Sequence, residues 1–485
     1  MEIAILVILG LLGVCLGALL CRTLLLKKKP SDAAPAISWT EAEAATYAET
    51  LSALVKLPTL TRSQGESWEA FKAYQEKVAA LFPLIERTAE KHDVDGNILR
   101  RIPGASPKRG PLLLMGHQDV VPAEGQTGWT SDPFSGEIKE GAVWGRGSMD
   151  CKGTFCAEWL AVEELLRAGF TFADDLWLFS SRNEENGGGG AELAADYLKQ
   201  RGVRLTAVLD EGGAVVRDQF PGLSAPVSAI GLAEKGYVNL KFTARGSGGH
   251  ASTPPKNSPL VRLSRFVSDV EKHPPFKRKF VQPVNSMFAA LAPYMSFPFR
   301  LLLGNLPVFA PLLKRVLPAV SPMAGAFIAT TAAFTQASGS AAPNVLPDEA
   351  YIICNVRPAL HQGAEESIRL LRERAAKFDI ETEVLFSKEP SRLTDYNTEV
   401  AKFVRRCIAD CLPDTVVSPY LMTGGTDSRR FEPVCDNILR FTPTRLTKQQ
   451  LAAMHAANEN LSVSALAEAT KTYRYLLEQY NAGEE

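Results

Sequence analysis

The sequence predicts an α/β fold with a mostly parallel sheet, an inserted α+β domain and one N-terminal transmembrane helix. Short apolar runs alternate with helical patterns in the first half of the chain, which indicates strands joined by helices. The order of elements then changes to βαββαβ after residue 231, and the N-terminus is almost purely apolar. A chain of 485 residues is long enough for two domains and an appendage.

The N-terminal run Ile3–Leu26 is almost purely apolar and is followed directly by Lys27–Lys29. About 20 apolar residues can span a bilayer. Because the run begins after Glu2 and its basic residues come last, it is typical of an uncleaved anchor rather than a cleavable signal peptide. We therefore predict a single-pass anchor over 1–29 and a linker over 30–42. The positive-inside rule favours the cytoplasmic face for the lysines and the body that follows.

Three apolar runs predict buried strands, namely Pro111–Met115, Leu176–Phe179 and Thr206–Leu209. Helical patterns lie between them at Ala157–Ala168 and Ala191–Gln200. Each apolar run is followed at once by polar and charged residues. Because ligand sites of α/β sheets lie beyond the carboxyl ends of strands, these polar residues predict the position of a site.

The middle of the chain predicts a compact four-stranded unit with the order βαββαβ. Its predicted strands are Tyr237–Ala244, Thr330–Gln336, Glu349–Val356 and Glu381–Phe386. Its predicted helices are Leu260–Lys272 and Glu365–Lys377. The last segment has helical patterns at both ends, with Gly424-Gly425 in a loop between them. We therefore predict one main domain in two parts, 43–230 and 392–482, interrupted by an inserted domain over 231–391.

The segment 287–328 is rich in Phe, Leu and Val and has few charges. Pro298, Pro307 and Pro311 argue against one straight membrane-spanning helix. Two interpretations stay open at this point. The segment is either an ordinary core loop of the inserted domain or an apolar surface for acyl chains or a bilayer.

Composition argues against a nucleic-acid partner and against a disulfide framework. The 53 Lys and Arg residues nearly balance the 54 Asp and Glu residues, so a general attraction for nucleic acid is not expected. The eight cysteines are scattered without CxxC spacing, which predicts free thiols rather than a disulfide framework or a structural zinc site.

Several side chains at predicted strand ends or in loops are candidates for a metal site. They are His117, Asp119, Asp150, Glu184, Glu185, Asp210, His250 and His455. Each of them could be structural by itself, but converging carboxylates repel one another unless a divalent cation is bound. Imidazole and carboxylate ligands without thiolate suit zinc in a catalytic site. Two zinc ions would require a bridging carboxylate and, outside the ligand set, a glutamate that acts as general base.

Eight ordered motifs resemble the signature set of the M20 metallopeptidase family. They are GHQDVVPAE (116–124), GRGSMDCKG (145–153), NEENGGGG (183–190), LDEGG (209–213), GGHASTPP (248–255), NVLP (344–347), TGGTDSR (423–429) and HAANE (455–459). Their order and spacing agree over roughly residues 43–480. The hydrophobic segment and the stretches EKGYVNLKF and STPPK are most similar to the branch of peptidase M20 domain-containing protein 1 and the vacuolar Gly-X carboxypeptidases.

The resemblance implies a di-zinc catalytic domain with two zinc ions per subunit. Asp150 would bridge the two ions. His117 and Asp210 would complete one metal site, and Glu185 and His455 would complete the other.

The resemblance also implies roles around the metals. Glu184 would be the general base, and Asp119 would fix the tautomer of His117. His250 would stabilise the oxyanion, often in the active site of a partner subunit. Residues implied for substrate binding are Asn344, Arg357, Gly424 and Gly425.

The family resemblance implies a zinc-dependent hydrolase that cleaves the amide bonds of N-acyl amino acids or releases C-terminal residues of small peptides, in a reaction that can be reversed. It also implies that the inserted domain acts as a lid and forms a homodimer. The alternative is a non-catalytic, membrane-tethered module that binds metal or acyl chains, in which the base or a ligand would be expected to be lost. In the family a cis peptide bond follows the bridging Asp, which here implies a cis bond between Asp150 and Cys151, where many relatives have a second Asp.

Overall fold

The computed structural model describes residues 2–61, 68–218, 220–223 and 225–482. The helices are α1 (Glu2–Leu25), α2 (Glu41–Val55), α3 (Trp68–Leu81), α4 (Pro83–Thr88), α5 (Lys152–Arg167), α6 (Gly190–Gln200), α7 (Pro259–Lys272), α8 (Val284–Leu291), α9 (Phe297–Gly304), α10 (Leu306–Val320), α11 (Pro322–Ile328), α12 (Gly363–Ala376), α13 (Glu399–Cys411), α14 (Lys448–Ala453) and α15 (Val463–Ala482).

The strands follow the same order along the chain. They are β1 (Glu90–Val94), β2 (Asn97–Ile102), β3 (Leu112–His117), β4 (Glu137–Lys139), β5 (Ala142–Trp144), β6 (Leu176–Ser181), β7 (Ala207–Asp210), β8 (Val215–Val216), β9 (Val227–Glu234), β10 (Tyr237–Arg245), β11 (Gly249–His250), β12 (Thr331–Ser338), β13 (Val345–Leu346), β14 (Glu349–Arg357), β15 (Glu381–Lys388), β16 (Val416–Met422), β17 (Ile438–Arg440), β18 (Arg445–Leu446) and β19 (Asn460–Ser462).

The main sheet has the strand order β1-β2-β6-β3-β7-β17-β9-β8-β18, with β16 paired to β9. Its central strands β6, β3, β7 and β17 are parallel. The pairs β1–β2, β2–β6, β17–β9 and β8–β9 are antiparallel, so the sheet is mixed and the prediction of a mostly parallel sheet is wrong towards its edges. One cause is local, because Asp95 and Gly96 both have positive φ and turn the chain back as a two-residue hairpin.

The three predicted central strands are confirmed as β3, β6 and β7, and all of their residues are buried. Successive side chains of a strand point to opposite faces. Leu112 and Leu114 of β3 accordingly pack in the same core cluster as Trp159 of α5, whereas Leu113 and Met115 pack with α6. Helices thus cover both faces of the parallel centre, as the alternating sequence pattern predicts.

The predicted βαββαβ order is present between β10 and β15. Strands β12, β14, β10 and β15 form an antiparallel sheet in that order, and α7 and α12 pack against it. Residues of β14 alternate between buried and half-buried along its whole length, which is the pattern of a strand with one face on a core.

The hydrophobic segment forms helices α8–α11 rather than a loop, with Pro298, Pro307 and Pro322 in the first turns of three of them. Proline suits the first turn because its missing N–H has no intrahelical partner there. The buried residues of this segment pack with those of β9 and β16 in the main sheet, not with the small antiparallel sheet. Of the two interpretations left open by the sequence, the ordinary core loop of the inserted domain is therefore contradicted by the structure.

The N-terminal apolar run is helical over α1. Within the described residues, no single helix is both long and apolar enough to cross a membrane, and Leu9–Leu25 of α1 is a shorter apolar helix. The membrane anchor over 1–29 stays a prediction. Taken together, α9 and α10 are long and apolar enough to cross a membrane, but the two helices are bent by 109° relative to each other.

Candidate active site

The candidate site lies at the carboxyl ends of the adjacent parallel strands β6, β3 and β7. His117 is the last residue of β3, Asp210 is the last residue of β7, and Glu184 and Glu185 follow β6. This is the edge of an α/β sheet at which ligand sites are expected. The sheet therefore brings residues from three separate motifs to one place.

Asp150 lies between two histidines that are far apart in the sequence. Its Oδ1 is 3.0 Å from Nε2 of His117, and its Oδ2 is 3.0 Å from Nε2 of His455. Each carboxylate oxygen therefore faces a different imidazole, which is the arrangement that a bridging ligand requires. The peptide bond between Asp150 and Cys151 is cis, as the family resemblance implies.

Glu459 holds the backbone at Asp150. Its Oε1 accepts hydrogen bonds from the N–H groups of Met149 and Asp150, at 3.0 and 3.1 Å. Its Oε2 accepts a 2.6 Å hydrogen bond from Arg146, and both side chains of this ion pair are buried. Glu459 is the last residue of the motif HAANE, and its role is visible only in the folded chain.

Asp119 contacts both His117 and the glutamate pair. Its backbone oxygen is 2.9 Å from Nδ1 of His117, and its Oδ1 is 3.4 Å from the same nitrogen. Its carboxylate also accepts hydrogen bonds from the N–H groups of Glu184 and Glu185, both at 3.1 Å. Asp119 thus contacts the imidazole of His117 and also holds the loop that carries the two glutamates, and its role in fixing the tautomer stays a prediction.

Glu185 and His455 are in contact, with 3.2 Å between Oε2 of the glutamate and Nε2 of the histidine. The other carboxylate oxygen of Glu185 is buried and has no hydrogen-bond partner among the described residues. A buried acceptor without a partner is unfavourable, and a bound cation would satisfy it.

Glu211, and not the predicted Asp210, lies beside His117. Oε1 of Glu211 is 3.4 Å from Nε2 of His117, and these two residues form a possible ligand group with Cys151. Asp210 instead accepts a hydrogen bond from the N–H of Ser428 at 3.2 Å. Glu211 is thus the carboxylate of this motif that contacts His117, and the predicted role of Asp210 as a ligand stays a prediction.

The site concentrates carboxylates in a buried space. Burial raises the pKa of Glu211 to about 8 and that of Asp427 to about 7, and nearby carboxylates add to both shifts. Burial also raises the pKa of Glu184 well above its usual value, with contributions from Asp427 and Glu211. Such crowding is relieved by divalent cations, and the ligand atoms of His117, Asp150 and Glu185 lie within 4.8 Å of one another. The residues present therefore fit a metal site of imidazole and carboxylate ligands.

A cavity of about 570 Å³ opens beside Glu184, Glu185 and His455. The predicted substrate-binding residues Arg357, Gly424 and Gly425 line it. Four further cationic residues line the cavity that were not predicted to bind substrate, namely Lys235, Lys388, Arg429 and Arg430. Arg429 and Arg430 are adjacent, and this pair, Lys235 and Lys388 come from three separate segments of the chain.

Two features of the lining matter for a substrate. Burial lowers the pKa of Lys388 to about 8, and no salt bridge to Lys388 is present in the described part of the chain. Gly425 approaches Glu234 closely, because a Cβ at this position would be 3.1 Å from Oε2 of Glu234. The glycine thus lets the loop pack against this buried carboxylate.

His250 and Asn344 lie elsewhere in the described chain. His250 is exposed on β11, and its Nδ1 accepts a 3.1 Å hydrogen bond from the N–H of Ser252. Asn344 is linked to the same hairpin through its backbone oxygen, which accepts from the N–H of Ala251. Neither residue lines the cavity beside the metal ligands within one chain, so their predicted roles stay predictions.

The profile of the family described as Peptidase family M20/M25/M40 matches residues 113–479. The chain belongs to this family. Membership shows that this M20 peptidase is a hydrolytic enzyme, which confirms the predicted enzyme class and removes the non-catalytic module as an alternative. The family also implies a divalent metal, generally zinc, for which the ligand groups described above are present.

Individual relatives of this M20 peptidase agree with the family match. The N-fatty-acyl-amino acid synthase/hydrolase PM20D1 of Xenopus tropicalis is 30% identical, with 90% of this chain and 86% of the relative covered. The probable carboxypeptidase S-like 2 of Dictyostelium discoideum is 30% identical, with 87% and 81% covered. The fold is also that of the metallo-carboxypeptidase Sso-CP2 from Sulfolobus solfataricus, with a TM-score of 0.66, 19% identity, and 90% of this chain and 99% of that chain covered.

Proposed function

We propose that this M20 peptidase hydrolyses the amide bond between an acyl or peptidyl group and a C-terminal amino acid that carries a free carboxylate. The observation that supports this proposal most directly is the cavity in which Glu184, two of the predicted metal ligands, Glu185 and His455, and several cations meet. The curated relatives named above act on N-fatty-acyl amino acids or are carboxypeptidases by name. Both descriptions require an amide nitrogen next to a free carboxylate.

Two zinc ions are proposed as the metals, held by residues of this chain alone. Asp150 would contact both ions, and the remaining ligands would be His117, Glu211, Glu185 and His455. Such ions polarise a carbonyl group and make water acidic enough to attack it at neutral pH.

Glu184 is proposed as the general base. Its carboxylate lines the cavity on the side of the metal ligands and makes no side-chain hydrogen bond within the described residues. Its pKa is raised by burial, and a base works best when its pKa is near the operating pH. Glu184 would take a proton from the attacking water and then deliver it to the nitrogen of the leaving amino acid.

The cationic lining is proposed to hold the substrate carboxylate. The Arg357 guanidinium lies 4.3 Å from the ring centroid of Tyr237, and its Nε donates a 3.0 Å hydrogen bond to Asn355. These contacts fix the orientation of the guanidinium, which can then form paired hydrogen bonds with a carboxylate. Lys388 would add a second, more mobile positive charge.

A second copy of the chain is proposed to supply His250. The imidazole is exposed and does not line the cavity of its own chain. A homodimer through the inserted domain would bring it to the partner's site, where it would stabilise the developing oxyanion.

The base assignment is tested by replacing Glu184 with Gln and measuring metal content and turnover of an N-acyl amino acid. We expect unchanged metal content and a turnover about 10²–10⁴-fold lower, because a positioned base contributes about that factor. The matched control is Glu366→Gln on the surface of α12, which should retain wild-type turnover. Wild-type turnover in Glu184→Gln would contradict the assignment.

The substrate class is tested by comparing N-acyl amino acids with the same compounds in which the carboxylate is an amide. We expect kcat/KM to fall about 10–100-fold on amidation, since hydrogen bonds to charged groups are worth about 1.5–3 kcal/mol. The Arg357→Lys variant should show a smaller ratio between the two substrates. Equal kcat/KM values for acid and amide would remove the proposed carboxylate site.

A further inference from the structure

Helix α10 has an exposed face that is almost wholly apolar. Its exposed residues are Pro307, Val308, Pro311, Leu312, Arg315, Val316, Ala319 and Val320. Val308 is 57% exposed, Leu312 is 50% exposed and Val320 is 64% exposed. A helix on the surface of a globular protein normally presents charged or polar residues to water, so we expect this face to contact an apolar partner.

The stretch of chain that contains this face carries charges of one sign only. Between Glu271 and Asp348 the chain has no Asp or Glu residue. The same stretch contains Lys272, Lys277, Arg278, Lys279, Arg300, Lys314 and Arg315. Apolar helix faces bordered by Lys and Arg are typical of segments that lie in the interface of a membrane with anionic lipids.

The N-terminal helix ends beside the same helices. Asn305, between α9 and α10, donates a 3.0 Å hydrogen bond from its side chain to Oγ1 of Thr23 in α1. The N–H of Lys28 donates to the backbone oxygen of Pro293 at 2.9 Å. A cavity of about 360 Å³ opens between these helices, and its lining is apolar apart from Arg22 and Asn285.

Helix α1 is itself apolar and exposed. Leu9, Leu12, Val14 and Leu25 are between 58% and 80% exposed. The C-terminal end of α1 therefore lies beside the N-terminal end of α10, where Thr23 and Asn305 are hydrogen-bonded. The basic residues Lys27–Lys29 follow directly after α1.

We infer that α9 and α10 form a second membrane contact, in which the exposed face of α10 lies in the interface of a bilayer with anionic headgroups. This contact needs no membrane-spanning segment, because the helix would lie parallel to the surface with its apolar side chains among the acyl chains. Arg315, within the exposed face, would reach the headgroups with its long side chain. The inference does not depend on the proposed amide hydrolysis.

The inference is tested with a nitroxide spin label on Val316→Cys in the full chain, after the exposed Cys15 and Cys21 have been replaced by Ser. The other six cysteines are buried and are not expected to react. Collisions of the label with oxygen and with a water-soluble nickel complex are measured with and without vesicles of phosphatidylcholine and phosphatidylserine. The matched control is Val384→Cys on β15, where the valine is 38% exposed compared with 41% at Val316.

We expect vesicles to lower the nickel collision rate at position 316 severalfold and to raise the oxygen rate, with no change at position 384. The same response is expected when Glu184→Gln is added, so loss of catalysis and loss of membrane contact are separate results. Equal nickel rates with and without vesicles at position 316 would overturn the inference. A label at 316 that is shielded from both reagents before vesicles are added would also overturn it, because a second copy of the chain would then cover this face.

Discussion

The ion pair between Arg146 and Glu459 offers a sharp test of how the protein positions Asp150. Replacement of Glu459 by Gln keeps the shape of the side chain and an oxygen that can accept from the N–H groups of Met149 and Asp150. It removes the charge that compensates Arg146, whose side chain is 1% exposed. The remaining contacts of Arg146 are the neutral oxygen of Gln126 and the ring of Trp129.

We expect Glu459→Gln to lower the free energy of unfolding by about 3–5 kcal/mol, the usual effect of leaving one buried charge without its partner. Urea unfolding of the chelator-treated chain measures this change without the contribution of bound metal. Because the ion pair with Arg146 would no longer fix the side chain that accepts from the N–H groups of Met149 and Asp150, metal affinity should also fall about 10–100-fold.

The double variant Arg146→Met, Glu459→Gln separates the effect on the free energy of unfolding from the effect on metal affinity. Removing both charges is expected to recover most of the lost unfolding free energy, because an apolar side chain in place of a buried ion-pair partner is often neutral. The weakened metal affinity should persist, since it depends on the geometry at Asp150. The buried ion pair does not act in this way if Glu459→Gln lowers the free energy of unfolding by less than about 1 kcal/mol. The same holds if the change in the double variant equals the sum of the changes in Arg146→Met and Glu459→Gln.

Three further predictions concern the cavity, the ligands and the fold. The pKa of Lys388 is lowered to about 8, so its side chain is charged below that pH and neutral above it. The KM for a carboxylate substrate should therefore rise as the pH increases through about 8. The Lys388→Gln variant should lack this step in its profile of KM against pH. Glu211→Gln should lose one metal per chain in metal analysis, whereas Asp210→Asn should keep both, since its amide oxygen can still accept from Ser428. Thr40→Ala removes the capping box of α2 and should lower the free energy of unfolding by about 1 kcal/mol in urea titrations.

The elements that the sequence predicts well are those with a local signal. The alternating pattern of β14 and the apolar runs of β3, β6 and β7 are visible in a few consecutive residues, and the structure has strands at these positions. The mixed edges of the main sheet have no such signal, because they depend on which strands meet after the chain has folded. The location of α8–α11 on β9 and β16 is likewise a tertiary property, since apolar side chains do not specify which core they join.

The residues of the candidate site likewise fall into those that a local motif predicts and those that only the fold brings together. Short motifs locate His117, Asp150, Glu184, Glu185 and His455, and of these His117 and the two glutamates lie at the ends of strands β3 and β6. The cationic lining of the cavity could not be predicted, because Lys235 and Lys388 belong to strands or connections that are unrelated in sequence. The Arg146–Glu459 pair joins residues 313 positions apart, and only the folded chain shows that they touch.

The choice between Asp210 and Glu211 shows where a motif stops being informative. Both residues are carboxylates, they are adjacent, and both belong to the same LDEGG sequence. Since neighbouring side chains at a strand end point in different directions, only one of them can face His117, and the sequence does not record which. In the structure Asp210 accepts a hydrogen bond from the N–H of Ser428, whereas Glu211 approaches His117. The proposal of Glu211 as the ligand thus rests on contacts that only the folded chain shows, such as the one between segments more than 200 residues apart, and not on the motif that contains both candidates.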